Sequence, residues 1–290
     1  MEYSNPKIPE GINTSNEHPL KEFFWLTSAV LSLAVVVLLL LVLFADSLTA
    51  YIPFSVEKKL SLPEFPTSEP HSPLSGYLQS MADRIVKAEN LPEEMTITVH
   101  YLDDDTMNAF ATLGGHVYFY RGLLEKLHSE NALAMLMAHE IAHIKYRHPI
   151  RSLGRGVIAA LAISVISSSA GDAIVDRLIG GASTLTILKF SRGMEEQADS
   201  EAMDAVEKMY GGLHGADALF RVLQKEASRH EPPAFFSTHP LTRARIKAVT
   251  QRIQSSPDLD GNRITPLPED FSKWLTPRQE QITASDHARH

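Results

Sequence analysis

The stretch Leu133-Ala134-Met135-Leu136-Met137-Ala138-His139-Glu140-Ile141-Ala142-His143-Ile144 sets two histidines and a glutamate in an otherwise apolar segment. It reads as a helix over about 130–147. Ser129 is a suitable cap, Glu130 is favourable in the first turn, and Pro149 stops it. Positions i and i+4 share a face, so His139 and His143 can reach one metal ion, and Glu140 points to an adjacent edge where it can touch a metal-bound water. A helix apolar almost all round is buried, and polar groups buried without partners are costly. A metal ion would supply the missing partner. The competing reading is a pair of core histidines bonded to backbone carbonyls; the motif and its burial together favour the metal.

A catalytic zinc needs three protein ligands and one open position. The metzincin solution would require glycine at 146 and histidine at 149, where this chain has Tyr146 and Pro149. His148 is one position out of register and reads as a surface histidine near a helix C-terminus. The best candidate lies in Arg192-Gly193-Met194-Glu195-Glu196-Gln197-Ala198-Asp199. On a helix over about 185–209, Glu195 and Asp199 fall at i and i+4 and share a face with Ala198, Ala202 and Val206. Glu196, Ser200 and Glu207 take the wetter side. Inward carboxylates want a cation. Glu195 is therefore the candidate third ligand, and Asp199 a candidate acceptor for the N–H of a ligand histidine.

Five separated pieces occur in a recognisable order: Asn108-Ala109-Phe110-Ala111, Gly114-Gly115, His139 to His143, Arg192 to Asp199, and Thr238-His239-Pro240. Together they resemble the gluzincin family of membrane metallopeptidases that includes HtpX, BepA and the type 1 CAAX prenyl proteases. The resemblance covers about 95–250. It implies an α+β, mainly helical metallopeptidase domain with a small sheet, one zinc per chain, Glu195 as a ligand and Glu140 as catalytic base. For His239 it implies either an oxyanion stabiliser or a group that occupies the open position of the zinc; a loop histidine capping the last helix is the structural alternative. His116 to Tyr120 resembles the edge strand on which relatives lay an extended substrate. The implied activity is zinc-dependent endopeptidase action on protein or peptide substrates, in quality control of envelope proteins. The alternative is a zinc-stabilised, chaperone-like binding module with little proteolysis. Prenyl-protein processing needs a multi-helix membrane chamber, which one span does not provide.

Outward from this centre, Phe23 to Phe44 carries no charge and is long enough to cross a bilayer core. Its length and the polar stretch before it favour an uncleaved anchor over a signal peptide. Lys7 and Lys21 precede it and Lys58 and Lys59 follow it, so positive charge does not set its orientation. Single-span relatives point to a bacterial inner membrane with the catalytic domain in the periplasm. Residues 1–22 read as a polar N-terminal segment, 23–44 as the transmembrane helix, 45–75 as a proline-rich linker, 76–254 as the metallopeptidase domain and 255–290 as a polar tail. Within the domain, Met95 to Leu102 alternates as a strand, and further helices fall near 213–229 and 241–254. Residues 157–188 read as a buried helix or an active-site lid, with a membrane-dipping hairpin as the lesser alternative. The net charge of −8 and a pI of about 5.9 offer no basic surface for nucleic acid. Without cysteine there is no disulfide, thiolate site or cysteine nucleophile.

Overall fold

A computed structural model describes residues 19–61, 72–166, 189–227, 233–256 and 264–275. Two units are distinguished, 1–44 and 45–290. In the first, helix α1 (Pro19–Ala50) begins; its window Leu20–Leu41 is long and apolar enough to cross a membrane and contains no buried residue. The helix extends beyond the expected 23–44 at both ends. Residues 1–18 and 167–188, most of the polar segment expected over 1–22 and of the possible lid expected over 157–188, lie outside the described residues, while 19–22 and 157–166 are helical.

The second unit is α+β and mainly helical. Helix α2 (Phe54–Leu60) stands inside the stretch expected to be a linker. It forms because Phe54 and Glu57, one turn apart, are buried while Lys58 and Lys59 stay in water. Helix α3 (Pro73–Glu89) opens with Ser72 as its cap and Pro73 at its first position. It buries Leu74, Leu78, Met81, Ala82 and Ile85 and ends on left-handed Asn90.

The sheet has three strands: β1 (Thr98–Leu102), β2 (Ala109–Ala111) and β3 (His116–Tyr120), in the order β1-β3-β2. β3 is parallel to β1 and antiparallel to β2. The expectation that His116 to Tyr120 forms an edge is therefore corrected: it is the central strand. Pairing with Ala109–Ala111, a strand too short to announce itself by alternation, puts β2 on the outside.

Helix α4 (Arg121–Leu124) leads to α5 (Glu130–Lys145), whose Ser129 hydroxyl accepts from the Ala132 amide at 3.2 Å. α5 is buried from Asn131 to Ile144 and forms the axis of the domain. It is followed by α6 (His148–Ile166), α7 (Arg192–Tyr210), α8 (Asp217–Ala227), α9 (Phe235–Thr238) and α10 (Arg243–Ser255). α7 starts on the cap Ser191 and stops at left-handed Gly211.

Part of the expected polar tail is folded. Thr265 exchanges hydrogen bonds with the start of α5: its amide donates to Asn131 Oδ1 and its carbonyl accepts from the Glu130 amide, both at 2.8 Å. Helix α11 (Phe271–Leu275) then buries Phe271 and Leu275. A single helical turn is too short to show a period, so the sequence reads as unstructured there.

Candidate metal centre

α5 and α7 pack along each other, and this contact makes the site. His139 and His143 project from one face of α5 with Nε2 atoms 3.1 Å apart. Two nitrogen ligands on a tetrahedral zinc would stand about 3.3 Å apart at ordinary bond lengths. Glu195, in the first turn of α7, sets Oε2 at 3.5 Å from His139 Nε2 and Oε1 at 3.6 Å from His143 Nε2. His239 follows α9, which is tied down by the Phe235 amide on the Met107 carbonyl and by the Phe190 amide on the Thr238 carbonyl. Its Nδ1 is 3.1 Å from Glu195 Oε1 and its Nε2 is 3.6 Å from Glu140 Oε1. One donor atom from each of His139, His143, Glu195 and His239 lies within 4.8 Å of the others.

All these side chains are buried, and neither oxygen of Glu140 has a side-chain hydrogen-bond partner. Burial holds the Glu140 carboxyl above the usual range. Asp199, expected behind a ligand histidine, places Oδ1 at 3.0 Å from His139 Nδ1. Burial alone would depress the His139 pKa, but the Asp199 and Glu195 carboxylates outweigh it and push it up to about 10. This point of the fold thus favours positive charge.

The donor set fits a divalent cation. The carboxylates of Glu195 and Asp199 share one buried guanidinium, Arg245, and a third buried carboxyl group, Glu140, stands beside them, so the cluster is acidic. Imidazole nitrogens with a carboxylate oxygen suit zinc among the common ions.

Two participants escaped the sequence reading. Arg245 on α10 grips Asp199 in a fork, Nε to Oδ2 at 2.7 Å and Nη2 to Oδ1 at 2.8 Å, and its Nη1 is 2.5 Å from Glu195 Oε2. Burial works to raise the Asp199 pKa, but the bonds from Arg245 and His139 hold it below its ordinary value. The available signal was weak: Arg245 and Val249 are the buried pair of α10, so a cation sits on its apolar stripe. His148 was misread as a surface residue. It is fully buried, with Nδ1 at 2.8 Å from His143 Nδ1 and Nε2 at 3.2 Å from Gln197 Oε1.

Comparison with known proteins adds a lineage to this geometry. The model of the family described as Peptidase family M48 matches residues 73–253. Over 197 residues the chain is 30% identical to a putative beta-barrel assembly-enhancing protease of Vibrio cholerae, covering 64% of this chain and 40% of that one. It is 25% identical over 206 residues to the beta-barrel assembly-enhancing protease of Escherichia coli K12, covering 64% and 42%. It is 27% identical over 184 residues to the mitochondrial metalloendopeptidase OMA1 of Schizosaccharomyces pombe, covering 62% and 53%. The alignments span from two-fifths to about half the length of these relatives.

Proposed function

The chain belongs to peptidase family M48, and from that premise we propose that it is a membrane-anchored zinc metalloendopeptidase acting in quality control of envelope proteins. The observation that carries the reading is the convergence of His139, His143 and Glu195 beside the unpartnered Glu140 carboxylate. The two histidines and Glu195 would hold the metal, one ion per chain.

When bound, zinc would act as a Lewis acid toward the scissile carbonyl and bring the pKa of a bound water towards 7. Glu140 takes the proton from the attacking water and delivers it to the leaving amine. Its lack of a competing side-chain hydrogen bond and its raised pKa suit it to both transfers. Asp199 orients His139 through Nδ1, and Arg245 keeps Asp199 ionised while pairing with Glu195. The outer edge of β2, at the end of the sheet nearest α5, is the place for an extended substrate to add by backbone pairing. His239 stands between Glu195 and Glu140, within the donor cluster. That position supports a gating role, in which its ring closes the site until it is displaced; oxyanion stabilisation is the other role open to it.

The apolar helix α1 supports a membrane anchor. The bacterial relatives are named for enhancing beta-barrel assembly, which supports envelope proteins as substrates; a periplasmic domain on the bacterial inner membrane belongs to the same proposal.

The test uses the full chain in detergent, measuring bound zinc and cleavage of casein-type peptides. About one zinc per chain is expected in wild type. Glu140→Gln should keep the zinc and lose about 10²–10⁴-fold in cleavage, and Glu195→Ala should lose the zinc. His239→Ala should cleave faster than wild type if His239 gates the site, and slower if it stabilises the oxyanion. Zinc without cleavage in wild type and in His239→Ala would favour the chaperone-like module. No zinc at all would overturn the proposal.

A further inference from the structure

α5 ends at Lys145, and Arg147 adopts a left-handed backbone conformation (φ 60°) before α6 begins at His148. For a residue with a Cβ this conformation costs roughly 1–2 kcal/mol. Here it is held from outside: the Arg147 guanidinium pairs with Glu57 of α2 and donates to the Ile52 carbonyl at 2.7 Å. The turn carries His148 back against the end of α5, between His143 and Gln197.

The resulting row of groups has a direction. An amide oxygen only accepts hydrogen bonds, so His148 Nε2, facing Gln197 Oε1 at 3.2 Å, carries the hydrogen. Across the 2.8 Å gap between the two Nδ1 atoms, one nitrogen donates and the other accepts. A metal-ligating His143 is neutral. If its Nε2 is to be a bare lone pair, its Nδ1 carries the hydrogen. His148 Nδ1 must then be the acceptor, which is what a neutral ring protonated at Nε2 presents. The far end of this relay leaves His143 Nε2 as a lone pair aimed at His139 and Glu195. With Gln197 reversed into a donor, every hydrogen would shift along and His143 Nε2 would carry one, unable to ligate. Phe190, stacked on the His143 ring at 3.9 Å, restricts its rotation but says nothing about its proton.

We propose that His148, set by Gln197, is a positioning residue that fixes the tautomer and ring orientation of His143 for zinc. This rests on the zinc reading above. Partners behind a ligand histidine typically change metal affinity 10–100-fold.

The experiment measures zinc affinity of the full chain in detergent by competition with a chelating indicator, together with unfolding of the metal-free protein. His148→Leu removes the acceptor at similar bulk, whereas His148→Asn keeps an amide oxygen that can stand in for Nδ1. At the exposed end of the relay, Gln197→Met removes the acceptor and Gln197→Glu keeps one. Loss of about 10–100-fold in affinity is expected for His148→Leu and Gln197→Met, with Asn and Glu restoring most of it and the metal-free unfolding of the Gln197 variants unchanged. Wild-type affinity in Gln197→Met, or equal losses in Gln197→Met and Gln197→Glu, would overturn the relay while leaving the zinc reading intact. A wild type that takes up no zinc would overturn both.

Discussion

Arg245 is the side chain on which the acidic half of the site depends. It is 2% exposed, donates to Asp199 and the Pro240 carbonyl, and forms an ion pair with Glu195. A buried carboxylate stripped of a paired guanidinium is expensive, and breaking such a pair from one side costs about 3–5 kcal/mol. Arg245→Met keeps the length and removes the charge. Denaturant unfolding of the metal-free protein should lose about that much stability, and added zinc should restore part of it by supplying a cation to the same carboxylates. A midpoint equal to wild type would show that Asp199 and Glu195 do not need the guanidinium. Glu140 is the opposite kind of residue, buried without a side-chain hydrogen bond, and its replacement by glutamine should relax the fold slightly while removing the proposed base.

At the scale of elements, the site hangs on α5 and α7, and the sheet is held in place by the turn between β2 and β3. That turn passes through Gly114 and Gly115 with φ of 79° and 90°. A Cβ on Gly115 would stand 2.0 Å from the Thr96 carbonyl oxygen, which is backbone and cannot rotate away. Gly115→Ala combines left-handed strain with a clash and should cost about 2 kcal/mol or more. The loss should show as a lower thermal midpoint and weaker cleavage, because β2 would shift relative to α5. An alanine variant as stable as wild type would mean that the loop has room the geometry denies. Helix α2 acts similarly at a distance, since Glu57 secures the Arg147 turn that delivers His148.

For the whole molecule, pH dependence away from the metal centre can be read from Glu89. It lies in the last turn of α3, 2% exposed, and both carboxylate oxygens lack hydrogen-bond partners. The neighbouring Lys145 donates to the main-chain carbonyl of Glu89 and pairs with Glu201. Burial, followed by repulsion from Glu201, holds the Glu89 pKa well above its ordinary 4.5. A raised carboxyl pKa means that the folded state prefers the neutral form, so this residue's contribution is fully present below about pH 4.5 and is lost as pH rises towards the folded value. Glu89→Gln removes that dependence. Its stability relative to wild type should grow with pH above 4.5, by up to about 1.4 kcal/mol per unit. Urea unfolding at about pH 5 and about pH 8.5 would measure it, and a difference that stays constant between them would refute it.

The sequence by itself determined the helix that carries His139 and His143, the second acidic helix and the long apolar segment. His139, Glu140 and His143 are legible because spacing along one helix is a local matter, and so is the pairing of Glu195 with Asp199 four residues on. The separated motif pieces carried the family and, with it, the mainly helical fold. Only the tertiary structure decided that β3 is central, because the partner β2 is three residues long and strand order depends on pairing between distant segments. It also decided that His148 turns inward, since the left-handed turn at Arg147 is secured by Glu57 from about 90 residues away. Arg245 reaches the site from a third helix, and Phe271 docks from a single turn near the C-terminal end. Such contacts have no local period to betray them: their stability comes from surfaces that meet after the chain has folded.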